Sequence, residues 1–206
     1  MRYQDYVIRD GVLVGDFDEM YRLSDTIPWN QDATAYSTVA ELDLRIISAM
    51  NSLFDFTSVI DVGCGLGYFT NRISSEACNS ATHSGVDISA VAIGSAKQLF
   101  SDIEFNILDI SEVLPNSNRY SLAVGIELHW YLLDNLDIFR ENMGLLAESI
   151  YIRQSIPHDS GYLGEEIFPS LSSISNFWGK KFDIIFENQI VHSPLGSYIG
   201  LFLQHR

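Results

Sequence analysis

The most constraining feature of the sequence is a run of three glycines at alternate positions, directly after an apolar segment. Residues 59–62 are apolar except for Asp61, which predicts a buried strand with one acidic side chain near its end. The glycines can adopt positive φ angles and let a ligand approach the backbone; they are Gly63, Gly65 and Gly67. A helix is predicted to follow, and its first N–H groups lack partners within the helix. The pattern favours a ligand-binding strand–turn–helix unit, although an ordinary tight turn would produce it too.

Short apolar segments and helical patterns alternate along the rest of the chain. Strands are predicted over residues 59–62, 84–86, 103–107, 122–126, 149–153, 182–187 and 197–204. Helices are predicted over residues 68–75, 89–100, 134–146 and 165–178, the last broken by Pro169. Such alternation predicts a mostly parallel sheet covered by helices on both faces. The last two strands are expected to form an antiparallel pair around a turn at residues 193–196, which gives an α/β fold with three layers and seven strands.

The N-terminal part has a different pattern. Its predicted elements are an irregular or hairpin-like segment at 1–15, a helix at 16–23 capped by Asp16, and a turn at 28–32. A further helix is predicted over residues 35–50. We therefore expect an N-terminal arm at residues 1–35 and one domain at residues 36–206.

Charge and composition exclude several classes of function. The chain has 12 Lys and Arg against 27 Asp and Glu, a formal net charge of −15, which would repel nucleic acid and anionic membrane surfaces. The two cysteines, Cys64 and Cys78, do not form a C-x-x-C pair, so neither a disulfide framework nor a structural zinc site is expected. The apolar runs are too short to span a bilayer, and the first residues lack the apolar core of a signal peptide. A cytoplasmic location is expected.

The glycine spacing separates two kinds of nucleotide-derived cofactor. It is G-x-G-x-G, whereas dinucleotide-binding folds use G-x-G-x-x-G, and Tyr68 stands at the sixth position here. The segment resembles motif I of class I, Rossmann-like S-adenosylmethionine-dependent methyltransferases. The resemblance implies that the glycine loop passes beside the amino-acid part of S-adenosylmethionine and that Asp61 helps to hold its amino group. S-Adenosylhomocysteine would be the product.

Two later segments resemble further motifs of the same family. Asp87 ends a predicted strand 20 residues after Gly67, where a carboxylate can accept hydrogen bonds from a ribose diol. The resemblance implies that Ile88 packs on the adenine and that Asp109, with the backbone of Leu108, binds the adenine amino group. Each aspartate also has a structural alternative: Asp87 could be an acid of the helix-cap region, and Asp109 could be a solvated acid in a loop.

The fourth predicted strand is similar to the corresponding motif of small-molecule methyltransferases, and its end would face the transferring methyl group. Glu127 and His129 are the candidate catalytic residues, since histidine has a pKa suited to a general base. A lone histidine can equally be structural. The candidate residues for binding the acceptor are His129, Trp130, Tyr131 and, from a second loop, Tyr162. The Asn/Asp-Pro-Pro-Tyr/Phe motif of nucleic-acid methyltransferases is absent here.

The arm resembles that of small bacterial N- and O-methyltransferases of the nodulation and sugar-modifying type. This resemblance implies a lid over the cofactor, with Trp29 as a contact and Arg22 as a partner for the methionine carboxylate; Trp29 could equally be a core residue. Asp134 and Asn135 are similar to the acidic pair of metal-dependent O-methyltransferases but follow the fourth strand too closely. We predict a helix cap there and no metal.

These observations lead to one functional hypothesis and its alternatives. The chain is expected to transfer the methyl group of S-adenosylmethionine to an oxygen or nitrogen of a small metabolite, such as a sugar or a surface-polysaccharide or natural-product precursor. A protein methyltransferase and a non-catalytic module that binds S-adenosylmethionine are the alternatives; a nicotinamide oxidoreductase is disfavoured by Tyr68. A monomer or a homodimer is expected.

Overall fold

The computed structural model describes residues 4–9, 12–115, 119–192 and 196–206. Contacts divide the chain into two compact units, Met1–Asp109 and Ile110–Arg206. The predicted arm is part of the first unit. Most of the turn predicted at residues 193–196 lies outside the described residues.

The strands match the predicted series closely. They are β1 (Ile8–Arg9), β2 (Val12–Leu13), β3 (Ser58–Val62), β4 (Thr82–Asp87), β5 (Glu104–Ile107), β6 (Tyr120–Ile126), β7 (Ala147–Ile156), β8 (Phe182–His192) and β9 (Gly196–His205). β1 and β2 form an antiparallel pair in the arm, as the hairpin-like pattern predicted. The other seven strands form one mixed sheet in the order β5-β4-β3-β6-β7-β9-β8, with helices around it. β9 is antiparallel to both of its neighbours, so the predicted α/β fold is confirmed.

The α-helices are α1 (Gln4–Val7), α2 (Phe17–Leu23), α3 (Gln31–Thr34), α4 (Thr38–Phe54), α5 (Tyr68–Arg72), α6 (Ala90–Leu99), α7 (Leu136–Leu146) and α8 (Leu171–Gly179). Several begin at side chains that satisfy the free N–H groups of the first turn. Asp16 accepts the N–H of Glu19, and Ser89 accepts the N–H of Ala92. Among the described residues, no helix is both long and apolar enough to cross a membrane.

Within the first unit, β3, β4 and β5 are parallel and in register, so their carboxyl ends meet at one edge. Val62 lies opposite Val86, and Asp87 lies opposite Ile107. A buried cluster packs beneath this edge and consists of Cys64, Ile93, Ala96, Ile103 and Phe105. Ligands of parallel sheets bind at such an edge.

Two local predictions differ from the structure. Residues 28–32 form a 3-10 helix, Pro28–Asn30, that leads into α3 instead of a simple turn. Pro28 suits the start of a helical turn, and the left-handed conformations of Trp29 (φ 53°) and Asn30 (φ 48°) change the chain direction before α3.

The helix predicted over residues 165–178 begins only at Leu171. Pro169 disfavours helical conformation in the residue before it. Ser170 then forms a capping box, because its side chain accepts the N–H of Ser173 while the Ser173 side chain accepts the N–H of Ser170.

Candidate functional site

The candidate cofactor residues of the first unit lie at the carboxyl ends of its parallel strands. The loop after β3 takes left-handed conformations at Gly63 (φ 71°), Gly65 (φ 54°) and Gly67 (φ 81°). This is the conformational freedom for which the sequence uses glycine. Gly65 and Gly67 are buried, and the first of them lies under side chains of the arm.

Every backbone N–H of the glycine loop from residue 63 to 67 has an acceptor within the first unit. Gly63 and Cys64 donate to Val86 O, and Gly67 donates to Cys64 O. The other two N–H groups donate to side chains, Gly65 to Asp87 and Leu66 to Gln31. A loop that binds pyrophosphate presents free N–H groups to the ligand, and this loop does not.

Asp61 is buried within β3 and is 3% exposed. Its Oδ2 accepts a hydrogen bond from Thr70 Oγ1 at 2.6 Å. Burial raises the pKa of this carboxyl to about 7, with Asp87 adding repulsion and the Thr70 bond opposing the shift. Asp61 is thus a buried carboxyl just ahead of the glycine loop, with Thr70 as a hydrogen-bond partner.

Asp87 occupies the end of β4 and holds the glycine loop. Its Oδ2 accepts the N–H of Gly65 at 2.9 Å, and its Oδ1 accepts the N–H of Ser89 at 2.9 Å. Burial raises the pKa of the carboxyl, while these backbone bonds oppose the rise. Beside it, the Ile88 side chain is 47% exposed, which leaves an apolar surface open at the strand end.

The residues after β5 complete this edge. The N–H of Leu108 donates to Asp87 O at 3.0 Å, which fixes the chain just beyond the strand. Leu108 and Asp109 are half-buried. The first unit therefore brings together the candidates from three separate motifs: the glycine loop, Asp87 with Ile88, and this pair.

The arm bonds to the same edge through two residues that the sequence reasoning missed. Asp18 Oδ1 accepts bonds from Ser89 Oγ at 2.7 Å and from the N–H of Val91 at 3.2 Å. Gln31 Oε1 accepts the N–H of Leu66 at 2.8 Å. No local pattern marks these residues, since their partners lie 35 to 73 positions away in sequence.

The two arm residues that the sequence did select have different surroundings. The ring of Trp29 is half-buried, with its centroid 6.2 Å from that of Tyr21 and 6.5 Å from that of Phe17. Arg22 is exposed and pairs with Glu19 on the same helix.

In the second unit, Glu127 directly follows β6 and has a left-handed conformation (φ 59°), which is strained for a residue with a side chain. Its Oε1 accepts from Arg153 Nη1 at 2.5 Å. Its Oε2 accepts from Gln154 Nε2 at 3.0 Å and from the N–H and hydroxyl of Ser155 at 3.0 and 2.7 Å. A carboxylate with four donors is held in place, and its lone pairs are largely used.

His129 lies in the interior of the second unit and is 1% exposed. Its Nε2 accepts the indole N–H of Trp178 at 2.9 Å, and its Nδ1 lies 2.8 Å from Gln154 Oε1. The indole nitrogen can only donate, so His129 is neutral with its proton on Nδ1. Burial lowers the pKa of the imidazole to about 4, although the Gln154 bond opposes this shift. The catalytic and acceptor-binding roles expected of His129 are therefore not favoured; its geometry is that of a structural residue.

A chain of hydrogen bonds links the two expected catalytic residues. Trp178 donates to His129, His129 donates to Gln154, and Gln154 donates to Glu127. Gln154 is fully buried, and the sequence reasoning missed it. A buried polar network of this kind fixes one arrangement of side chains when each member has a partner.

The remaining acceptor candidates flank this network. Trp130 and Tyr162 pack edge-to-face with ring centroids 5.6 Å apart, so the structure brings residues from two loops together. Tyr162 OH donates to Phe168 O at 2.6 Å. Gly164 lies against Trp130 and Leu133 and has a left-handed conformation (φ 83°) that favours glycine. Both aromatic rings and Tyr131 are half-buried.

Residues 53–151 match the family described as a methyltransferase domain, just under half of the chain. Solved structures of the same fold include a protein studied for the conversion of a disulfide bond into a thioacetal group during echinomycin biosynthesis. It has 16% identity and a TM-score of 0.68, and the alignment covers 92% of this chain and 91% of that protein.

Two similar structures are described as methyltransferases that depend on S-adenosylmethionine. One is a TehB-like enzyme from Corynebacterium glutamicum ATCC 13032, with 16% identity, a TM-score of 0.60, and coverage of 87% of this chain and 100% of that one. The other is from Aquifex aeolicus, with 14% identity, a TM-score of 0.62, and coverage of 88% and 100%. At these identities the likeness concerns the fold. The family match supports a methyltransferase domain over residues 53–151.

Proposed function

We propose that the first unit binds S-adenosylmethionine and that the protein transfers its methyl group to an oxygen or nitrogen of a small-molecule acceptor. The observation that carries this proposal is the pairing of carboxylates with a glycine loop whose N–H groups are all engaged. Asp61, Asp87 and Asp109 suit hydroxyls, amino groups and positive charge, whereas a pyrophosphate would meet negative charge and few donors. S-Adenosylmethionine carries a ribose diol, an ammonium and a sulfonium, and it has no phosphate.

The proposal gives each candidate cofactor residue a role. Asp87 accepts hydrogen bonds from the ribose diol, Ile88 offers its exposed side chain to the adenine, and Asp109 with the backbone of Leu108 binds the adenine amino group. The glycine loop lies beside the methionyl part, and the buried charge of Asp61 attracts the ammonium. When bound, the cofactor supplies an electrophilic methyl group on a good leaving group.

The contacts of Glu127 and His129 limit the chemical class of acceptor that we propose. Transfer from a sulfonium depends mainly on alignment, and a base is needed only when the acceptor must lose a proton first. Because the lone pairs of both residues are engaged, we favour an acceptor atom that attacks without help from a protein base, such as the nitrogen of an amine that is already unprotonated at the working pH. Trp130, Tyr131 and Tyr162 are the proposed acceptor contacts. As the acceptor, we prefer a small metabolite over a protein, a nucleic acid or a membrane component. We further propose that the protein is cytoplasmic, is a monomer or a homodimer, and needs no metal.

A non-catalytic module that binds the same cofactor is the second candidate. The engaged lone pairs of Glu127 and His129 favour this candidate too, because a side chain whose lone pairs accept other hydrogen bonds is poorly suited to take a proton from an acceptor. Methyl transfer from labelled cofactor to any acceptor in a panel of amines, hydroxylated metabolites and sugars would exclude it.

Titration calorimetry tests the cofactor directly. We expect S-adenosylmethionine and S-adenosylhomocysteine to bind and NAD to give no heat. Asp87→Ala should weaken S-adenosylhomocysteine binding about tenfold or more, because the hydrogen bonds of a charged group to the ribose are lost.

Asp102→Ala, which removes an exposed acid of the same unit, serves as the matched control and should bind like the wild type. Thermal unfolding of both variants checks that they are folded. If NAD bound and the two methionine-derived ligands did not, the proposed cofactor would be wrong.

A further inference from the structure

The side chain of Gln31 lies directly on the glycine loop. Its Oε1 accepts the N–H of Leu66 at 2.8 Å, and its Nε2 donates to the hydroxyl of Tyr21 at 2.7 Å. The backbone N–H can only donate, so the oxygen of the amide must face Leu66 and the nitrogen must face the other way. Both terminal atoms of this amide lie 2.5 Å from the place where a Cβ on Gly65 would stand. Gln31 therefore forms part of the surface above the loop.

A ligand with a carboxylate would find few donors near this loop. The loop N–H groups are engaged, as described above. The guanidinium of Arg72 bonds to Ala35 O, Glu41 and Glu76, and Arg22 pairs with Glu19 on the surface. The fixed charges at the strand ends are carboxylates themselves.

The amide nitrogen of Gln31 has donor capacity that the arm does not use. A carboxamide carries two N–H groups. Among the described residues, one of them is accounted for by Tyr21. The second is held at the glycine loop by the two bonds that fix the amide, so little side-chain entropy would be lost when it binds a ligand.

We propose that Gln31 donates this N–H to the carboxylate at the methionyl end of the cofactor. The assignment rests on the proposed function and extends it. It gives the arm a defined role in recognising the amino-acid part of the ligand, and it replaces Arg22, which the sequence had suggested for this role. The hydrogen bonds to Leu66 and Tyr21 position the amide. In this proposal the arm supplies a ligand-binding residue in addition to forming a lid over the cofactor.

Two ligands separate this role from a structural one. S-Adenosylhomocysteine has the carboxylate, and 5′-methylthioadenosine shares its adenosine and sulfur but lacks the amino-acid end. Calorimetry with both ligands would compare the wild type, Gln31→Ala and the isosteric Gln31→Glu. We expect both variants to bind S-adenosylhomocysteine about tenfold or more weakly, because a hydrogen bond to a charged group is lost. Binding of 5′-methylthioadenosine should stay within about twofold of the wild type.

Asp32→Asn, a change at the exposed neighbouring residue, is the matched control and should bind both ligands like the wild type. Equal losses for the two ligands in Gln31→Ala would mean that Gln31 only holds the loop and would overturn the assignment. Unchanged or tighter binding of S-adenosylhomocysteine by the Gln31 variants would also overturn the assignment. The Gln31 side chain would then either make no contact with the ligand or compete with it for the glycine loop. If the wild type bound neither ligand, the proposed function would be wrong and this assignment with it.

Discussion

At pH 8, the Asp61→Asn protein is expected to be more stable than the wild type and to bind S-adenosylmethionine more weakly. Burial raises the pKa of Asp61 to about 7 in the folded protein, against 3.8 for a solvent-exposed aspartate such as that of the unfolded chain. The folded state therefore binds more protons than the unfolded state between these values, and stability falls as pH rises through them. The full cost is about 4 kcal/mol above pH 7.

The asparagine removes this cost but introduces an amide N–H that must be buried. Its oxygen can still accept from Thr70, whereas the new donors have no obvious acceptor, so we expect a net gain of roughly 2 kcal/mol at pH 8. Urea unfolding followed by circular dichroism would measure it. The gain should shrink at pH 5.5, where the wild-type carboxyl is protonated. Asp102→Asn is the control for removing an exposed acid, and an equal gain at both pH values would contradict a buried charge.

The loss of affinity has a separate physical cause. A neutral side chain at position 61 no longer attracts the ammonium and sulfonium of the ligand, so severalfold weaker binding is expected at pH 8. The same charge thus destabilises the empty protein and favours the occupied one. Binding that was stronger in Asp61→Asn would show that the buried charge does not act on the ligand.

The second large effect concerns His129 and runs in the opposite direction with pH. Its pKa is lowered from 6.5 to about 4 in the folded protein. The unfolded state therefore binds more protons between these values, and stability is complete above pH 6.5 and is lost as pH falls toward 4. The expected loss is on the order of 3 kcal/mol over the whole range, and part of it should already appear at pH 5.5.

His129→Gln removes this titration and keeps an oxygen that can accept from Trp178. We expect lower stability at pH 7.5, because the packing of the imidazole ring against Phe139 and Trp178 is lost, and no acid-dependent loss at this position. Urea unfolding at pH 7.5 and 5.5 would measure both effects, with the exposed His158→Gln as the control. A variant that lost as much stability on acidification as the control would show that His129 is not the buried titrating group.

These two groups oppose each other in the wild type. On acidification from pH 7.5 to 5.5, the contribution of Asp61 to the free energy of unfolding should rise and that of His129 should fall, so the two contributions partly cancel. In each variant, Asp61→Asn or His129→Gln, the free energy of unfolding should then show the pH dependence that the remaining group produces.

The sequence predicted what depends on local pattern. Alternating apolar segments located all seven strands of the sheet, and Asp16 was recognised as a helix cap from its position before a helical pattern. The glycine spacing pointed to the loop whose three left-handed residues the structure describes. Each of these features involves residues close in sequence, whose conformational preferences are set by the chain itself.

The sequence could not show contacts between distant residues. The sequence suggests His129 as a base, but its two ring nitrogens are hydrogen-bonded to Gln154 and Trp178, which lie 25 and 49 positions away. Gln31 lies in a polar stretch without a motif, and only the fold places it on Leu66. For such residues the chemistry depends on burial and partners, which local composition does not encode.

The bonds of the arm also limit how the protein could be re-engineered. Asp18 reaches Ser89 and Val91, Gln31 reaches Leu66, and the carbonyl of Ala35 accepts from Arg72. A chimera that received a foreign arm to change its selectivity would leave buried donors of the recipient without acceptors. Arm and sheet edge therefore have to be exchanged as one module, and a graft that carries only the first 35 residues should fold poorly unless it retains acceptors at positions 18 and 31.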